Sequence, residues 1–242
     1  MNLVIDQGNT RVKCAVFNSN DVIVFKSVKL KRYAHCILNE LPSTLKIENV
    51  ILSNTSLPDK SLMDQLRKYQ HFLHLDHSTK VPIVNKYETP ETLGKDRIAA
   101  AVGAWMKYPN ENILFIDMGT CITMNFVNNK GWFLGGNISP GINMRFKAMH
   151  KFTANLPLAE NVLNDEFIAD TTVKALQNGA IKGTFREIDS FITETRNKFG
   201  EIKVILTGGD AFFFENWTKN MIFVAPNLVM EGLNEILKYN VK

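Results

Sequence analysis

Cysteine is scarce: Cys14, Cys36 and Cys121 are the only three in 242 residues, odd in number and far apart. That excludes a disulfide framework and matches a reducing compartment, with Cys14 and Cys121 expected as small core residues. No run reaches the about 18 apolar residues that a membrane span requires. No basic leader precedes the first apolar stretch, Leu3-Val4-Ile5, so a soluble, cytoplasmic protein is expected. Charge of one sign is lacking too. The 28 Lys and Arg against 24 Asp and Glu leave +4, spread along the chain apart from Lys26 to Arg32, which reads as a solvated strand edge or loop. Such a surface suits small anions such as nucleotides and falls short of a nucleic-acid footprint. Low-complexity segments and long linkers are absent.

What is present is a chain 45% hydrophobic, enough to build one large core or two of about 110 residues each. It also carries a repeat. Leu3-Val4-Ile5 leads into Asp6-Gln7-Gly8-Asn9-Thr10 and an apolar-alternating return from Val12 to Phe17. Half a chain later, Ile113 to Ile116 leads into Asp117-Met118-Gly119-Thr120 and a return from Ile122 to Val127. Each copy reads as buried strand, Asp-x-Gly turn and returning strand. Two halves opening on the same hairpin predict two similar domains, residues 1–108 and 109–242, divided at the breaker Tyr108-Pro109-Asn110.

Between and after the hairpins, strands and helices alternate. Val50-Ile51-Leu52 and Val204-Ile205-Leu206 read as buried strands, and His71 to Leu75 fits a strand better than a helix. Helices are expected from Asp59 to Tyr69 after Pro58, from Leu93 to Met106, from Thr171 to Lys182 and from Phe185 to Lys198. A last amphipathic helix covers about 228–239 and is free to pack back on the first domain. The class is α/β with mixed sheets flanked by helices.

The chemistry starts at the paired turns. Glycine there allows positive φ and lets a backbone N–H approach an anion, while Thr10, Asn9, Arg11 and Lys13 add donors and cations. A carboxylate has the wrong sign for phosphate, so Asp6 and Asp117 call for a cation between acid and phosphate. One such turn is ordinary hairpin chemistry. Two, each after a buried strand, imply two jaws on a nucleotide phosphate chain, the arrangement of the actin-like superfamily with ATP in the cleft between its domains. Thr207-Gly208-Gly209 after a buried strand fits a third nucleotide element, although alone it is an ordinary strand-to-helix loop.

Tyr87 and the stretch Thr89 to Arg97 form a second candidate. Pro90 and Gly94 set a rigid entry to a helix whose first turn carries Asp96 and Arg97. Asp96 reads either as an acid favoured by the helix dipole or as a proton acceptor for a substrate hydroxyl. Arg97 is suited to gripping a carboxylate. Gly135 to Gly141, with three glycines and a proline, reads as irregular backbone, either a structural loop or a substrate or subunit contact.

Taken in order, Asp-x-Gly-Asn-Thr at 6–10, Leu-Gly-x-Asp-Arg at 93–97 and Asp-x-Gly-Thr at 117–120 resemble the type III pantothenate kinase family. So do Gly-Gly-x-Ile-x-Pro-Gly at 135–141, Thr-Ala-x-Leu-Pro at 153–157, residues 172–179 and Thr-Gly-Gly at 207–209. The resemblance spans nearly the whole chain. It implies ATP-dependent phosphorylation of pantothenate to 4′-phosphopantothenate, the first step of coenzyme A biosynthesis. It also implies an actin-like (ribonuclease H-like) fold. Asp6, Gln7, Gly8, Asn9, Thr10, Arg11, Val12, Lys13 and Thr120 would contact ATP. Asp117 would hold a monovalent cation, K⁺ or NH₄⁺, alongside Mg²⁺. Asp96 would be the catalytic acceptor, and Tyr87, Gly94, Lys95, Asp96, Arg97 and Thr172 would line the pantothenate site. A homodimer with that site near its interface is implied, with no nucleic-acid or membrane partner. Gln7 replaces the usual small apolar residue, and Cys121 a common alanine.

His71, His74 and His77 are read as structural, since on a strand their spacing puts only His71 and His77 on one face. Trp105, Trp132, Trp217 and Phe212-Phe213-Phe214 are expected in core or interface packing. Two other functions fit the fold: a nucleotide-binding regulator without kinase activity, and a kinase for a sugar or short acid.

Overall fold

The structure is a computed structural model that describes residues 1–29, 38, 41–42, 44–55, 60–215, 218 and 220–241. Cys36, Trp217, residues 30–32 of the basic cluster and the expected helix start at 58–59 lie outside the described residues. The chain is α/β with two mixed sheets flanked by helices, and its contacts gather into two compact units.

Unit 1 comprises residues 1–110, 127–135 and 227–242. Its sheet is built from β1 (Asn2–Gln7), β2 (Arg11–Asn18), β3 (Asp21–Lys29), β4 (Asn49–Asn54) and β5 (His71–His74), in the order β3-β2-β1-β4-β5. β1 and β2 form the expected antiparallel hairpin, with Asp6 opposite Lys13. β4 lies parallel to β1 on its other side, pairing Asp6 with Ser53 and Gln7 with Asn54. Leu3, Ile5, Val12, Cys14, Val16, Val50 and Leu52 point to one core with Leu62 and Leu66 of helix α1 (Lys60–Leu66). Burial there pushes the Cys14 thiol up to about 12, so it is an inert packing group.

The short strand β6 (Val84–Asn85) and helix α2 (Lys95–Lys107) follow. α2 crosses a later helix of the same unit, α7 (Leu228–Asn240), at very small residues. A Cβ on Gly232 would stand 1.8 Å from the Ala99 carbonyl oxygen, and one on Gly103 2.5 Å from that of Leu228. Asn2 and Asn234 also share a buried hydrogen bond of 2.9 Å.

Unit 2 comprises residues 111–126 and 136–226. Its strands are β7 (Ile113–Met118), β8 (Cys121–Val127), β9 (Trp132–Pro140), β10 (Lys203–Thr207) and β11 (Phe223–Val224), in the order β9-β8-β7-β10-β11. That order repeats the first sheet strand for strand. The start of β9, Trp132 and Phe133, belongs to unit 1 and pairs with β6. The helices are α3 (Ile142–Lys151), α4 (Thr172–Gln177), α5 (Gly183–Phe199) and α6 (Ala211–Glu215). Phe185, Ile188 and Ile192 of α5 pack on Leu114, Ile116, Val204 and Leu206 of the sheet. Phe214 is buried 5.5 Å from Phe185, while Phe212 is 68% exposed, so the phenylalanine run divides between core and surface.

Two expectations are corrected. Residues 135–140 are strand, not irregular backbone. Gly136 is needed because a Cβ would fall 1.9 Å from the Met124 carbonyl oxygen of the neighbouring strand, and Gly135 because its φ is +104°. The separate helices expected at 171–182 and 185–198 are one continuous helical run, joined by a π-helical turn at Asn178–Lys182.

Candidate active site

The two Asp-x-Gly turns are built alike up to the acid. Leu3 to Ile5 and Ile113 to Ile116 are fully buried, which fixes each strand in its sheet, and Asp6 and Asp117 are the half-buried fifth residues of β1 and β7. Past the acid they differ. The Gly8 N–H donates to the Arg11 carbonyl at 3.0 Å, closing over Asn9 and Thr10, whereas the Gly119 N–H donates to the Cys121 carbonyl at 3.1 Å, one residue tighter. Neither Gly8 nor Gly119 has positive φ. Gly8 gives room, since a Cβ there would sit 3.3 Å from the Arg11 carbonyl oxygen, whereas one on Gly119 would make only ordinary contact, 3.4 Å from the Asp117 carboxylate. Asn9, Thr10, Arg11 and Thr120 are exposed, Val12 is buried and Lys13 half-buried. Arg11 is committed to Ser27, donating to its hydroxyl at 2.8 Å and its carbonyl at 2.9 Å.

The end of β4 organises the first turn, which no sequence signal announced beyond a polar Ser-Asn-Thr finish to an apolar strand. The Ser53 hydroxyl donates to Asp6 Oδ1 at 3.1 Å, and Thr55 donates through its N–H to the Gln7 carbonyl at 3.0 Å and through its hydroxyl to Asn9 Oδ1 at 3.2 Å. The acid of the turn is thereby fixed from a strand 47 residues away.

Thr207 and Gly208 come to the second acid, while nothing lies within 4 Å of a Cβ position on Gly209. β10 runs parallel to β7 with Thr207 opposite Asp117, and Gly208, at φ +93°, lies so close that a Cβ would be 2.5 Å from Asp117 Oδ1. The next acid, Asp210, has its carboxyl pushed above the ordinary range by burial.

Tyr87 and residues 94–97 come together in unit 1. Gly94 is the N-cap of α2 and offers no side-chain cap, so its absent side chain serves another purpose: a Cβ there would meet Asp96 Oδ1 at 2.5 Å. Asp96 accepts the Arg97 N–H at 2.9 Å and is half-buried. Arg97 is 5% exposed, with its guanidinium 5.3 Å from the Tyr87 ring centroid and 5.9 Å from that of Phe133. Gly135 lets the Tyr87 ring approach, since a Cβ would fall 3.1 Å from it. Thr172 belongs to unit 2, exposed at the start of α4, where the Thr171 hydroxyl provides the cap.

Residues 2–194 match the family described as type III pantothenate kinase. The chain belongs to the type III pantothenate kinase family. The curated type III pantothenate kinase of Christiangramia forsetii is 41% identical across 99% of both chains, and that of Bacteroides fragilis 42% across 99% of this chain and 98% of its own. Among solved structures, a Baf family protein of Campylobacter jejuni aligns with TM-score 0.64 at 22% identity, covering 98% of each chain. An inorganic polyphosphate/ATP-glucomannokinase of Arthrobacter aligns with TM-score 0.51 at 13% identity and the same coverage. Likenesses at that identity show the fold alone, which is actin-like. Every motif of this sequence that resembles the family therefore lies within an alignment running nearly end to end.

Among the described residues no helix is long and apolar enough to cross a membrane. Nor do three or more His, Cys, Asp or Glu side chains gather there as a metal cluster; His71 and His77 are exposed, and His74 has another role, described below.

Proposed function

We propose that this chain transfers the γ-phosphoryl group of ATP to the primary hydroxyl of pantothenate, releasing ADP and 4′-phosphopantothenate for coenzyme A biosynthesis in the cytoplasm. The observation that carries it is the family match over residues 2–194, extended nearly end to end by curated relatives, joined to an intact Gly94–Arg97 turn in which glycine leaves the Asp96 carboxylate its place. Asp96 receives the proton as the hydroxyl oxygen forms its bond to γ-phosphorus and the bond from γ-phosphorus to the β,γ-bridging oxygen breaks. Phosphoryl transfer asks mainly for positioning and charge neutralisation, so an ordinary carboxylate suffices. Tyr87, Gly94, Lys95, Arg97 and Thr172 line the pantothenate site. The first turn, Asp6 to Lys13, and Thr120 bind ATP. On this reading the chain holds two versions of one domain, 1–108 and 109–242, with the last helix returned to the first, and each carries a phosphate hairpin.

The residues present fit the expected cations. Asp117 offers one carboxylate beside a glycine that excludes any side chain from it, a place suited to K⁺ or NH₄⁺ shared with phosphate oxygens. Mg²⁺ is held on nucleotides by one or two carboxylates together with phosphates, so no protein cage is needed; when bound it neutralises the phosphate charge. Replacing Asp117→Asn is expected to raise the potassium concentration for half-maximal rate by roughly tenfold, since about 1.4 kcal/mol of charge interaction is lost. A potassium titration of ADP release checks this, and an unchanged midpoint places the cation elsewhere.

A homodimer fits unit 2, where residues 158–173 expose Leu158, Val162, Leu163, Phe167, Ile168 and Val173, with Phe167 and Ile168 at 80% and 81%. Soluble monomers seldom leave that much apolar surface uncovered. The double change Phe167→Asp and Ile168→Asp is expected to yield monomers in sedimentation velocity. A persistent dimer would move the contact to another face.

The alternative of a nucleotide-binding regulator without kinase activity gains nothing from the Baf-family neighbour, whose 22% identity speaks to fold alone, whereas curated kinases match at 41–42%. ADP release on adding pantothenate to ATP, potassium and magnesium tests the assignment directly; no release overturns it.

A further inference from the structure

The histidine that the chemistry left aside is wired to the active-site helix. His74, at the end of β5, places Nε2 2.7 Å from Asn54 Oδ1, and Lys95 Nζ donates to that same oxygen at 2.8 Å. An amide oxygen only accepts, so His74 donates from Nε2 and both bonds converge on one atom. Asn54 is 8% exposed and is the last residue of β4, opposite Gln7 and next to Ser53, which holds Asp6. The amide therefore anchors the Lys95 ammonium at the ends of β1 and β4, on the side of the first phosphate turn. Lys95 directly precedes Asp96 and donates one of its three N–H bonds to Asn54. Burial holds the Lys95 and His74 pKa values below their ordinary ranges, with Lys95 adding to the effect on His74; Arg67 acts on His74 in the same direction and Asp76 opposes.

We propose that Lys95 is the cation that meets the transferring phosphoryl group, and that Asn54 and His74 are positioning residues that aim it there through the shared amide oxygen. The inference rests on the kinase reading above and refines it in one respect. The Lys95 backbone stays in the pantothenate turn, while its ammonium serves the phosphate rather than the acid's carboxylate. A fixed ammonium is useful here because charge on the equatorial oxygens of the phosphoryl group has to be matched while the oxygens at either end exchange.

The test is steady-state kinetics of the full chain, with kcat and both KM values measured for each variant. Lys95→Met is expected to lower kcat by roughly 100-fold, as losing one charge-assisted donor to a transition state does, with the pantothenate KM within about twofold. Asn54→Ala and His74→Leu are each expected to lower kcat by about tenfold, the cost of a small misplacement. His74→Gln, whose amide can still donate to Asn54, is expected to recover most of what His74→Leu loses. In the Lys95→Met background Asn54→Ala is expected to change nothing further. A raised pantothenate KM with unchanged kcat in Lys95→Met assigns the ammonium to the substrate carboxylate and overturns the proposal. So does additivity of Asn54→Ala with Lys95→Met, or failure of His74→Gln to rescue while thermal unfolding stays at the wild-type midpoint. A wild-type chain without pantothenate-dependent ADP release overturns the kinase reading itself, and this assignment with it.

Discussion

Asp96→Asn should reduce kcat by about 10²- to 10⁴-fold, the range set by losing a positioned proton acceptor, while ATP affinity stays within about twofold. The substitution is chosen to isolate the proton. Asparagine keeps the size of the side chain and an oxygen able to accept the Arg97 N–H, now 2.9 Å away, so the start of α2 survives. Gly94 still leaves room for it. What goes is the basic oxygen and the negative charge. If Asp96 served only as a first-turn acid, the loss would be its dipole interaction, about 0.3–1 kcal/mol of stability, with turnover intact. The two outcomes differ by orders of magnitude in kcat, so pantothenate-dependent ADP release together with nucleotide titration decides between them.

Gly232→Ala should destabilise the protein by about 3 kcal/mol, at the upper end for forced overpacking of a core and a large part of the about 5–15 kcal/mol that holds an ordinary domain together. The added methyl would sit 1.8 Å from the Ala99 carbonyl oxygen, 2.7 Å from its carbon and 2.9 Å from the Gly103 nitrogen. All three are backbone atoms of α2, so no side chain can swing aside and the helices must separate. The Lys107–Glu231 ion pair, 2.8 Å apart but partly exposed at both ends, adds too little to hold them. Because α2 carries Lys95, Asp96 and Arg97, turnover should fall with stability. Gly183→Ala is the control: nothing lies within 4 Å of its Cβ position, so a neutral or slightly stabilising change is expected. Urea midpoints for both variants check this, and equal midpoints would mean the helices do not cross so closely.

The hairpins are legible because their signal is local: a buried run, an acid, a glycine and a return strand lie within Asn2–Asn18 and again within Ile113–Val127, and burial repeats between the copies. Equally legible was the turn at 93–97, where glycine, acid and arginine are sequence neighbours. Ser53, Asn54 and Thr55 were not, because what makes them part of the site is a parallel strand pairing across 47 residues. The face geometry read for His74 is correct for a strand, yet its partner lies on the adjacent strand and is an amide, not a metal. Gly135 and Gly136 suggest a loop because glycine punctuates loops far more often than it permits two backbones to touch inside a sheet, as it does here. The break read between 182 and 185 fell in a helical run whose π-helical turn precedes Gly183, whose Cβ position is open.

The placement of α7 in unit 1 has a consequence for how the chain is made. Unit 1 takes its helix partner for α2 from residues 228–240, and its buried Asn2–Asn234 bond joins a strand synthesised at the outset to a helix synthesised long afterwards. Unit 2 draws its residues from 111–126 and 136–226, all synthesised before α7. On the ribosome the later-encoded unit can therefore finish first, while the earlier one waits with the Gly103 and Ala99 groove of α2 uncovered. Stalled nascent chains of increasing length should acquire protease resistance in that inverted order.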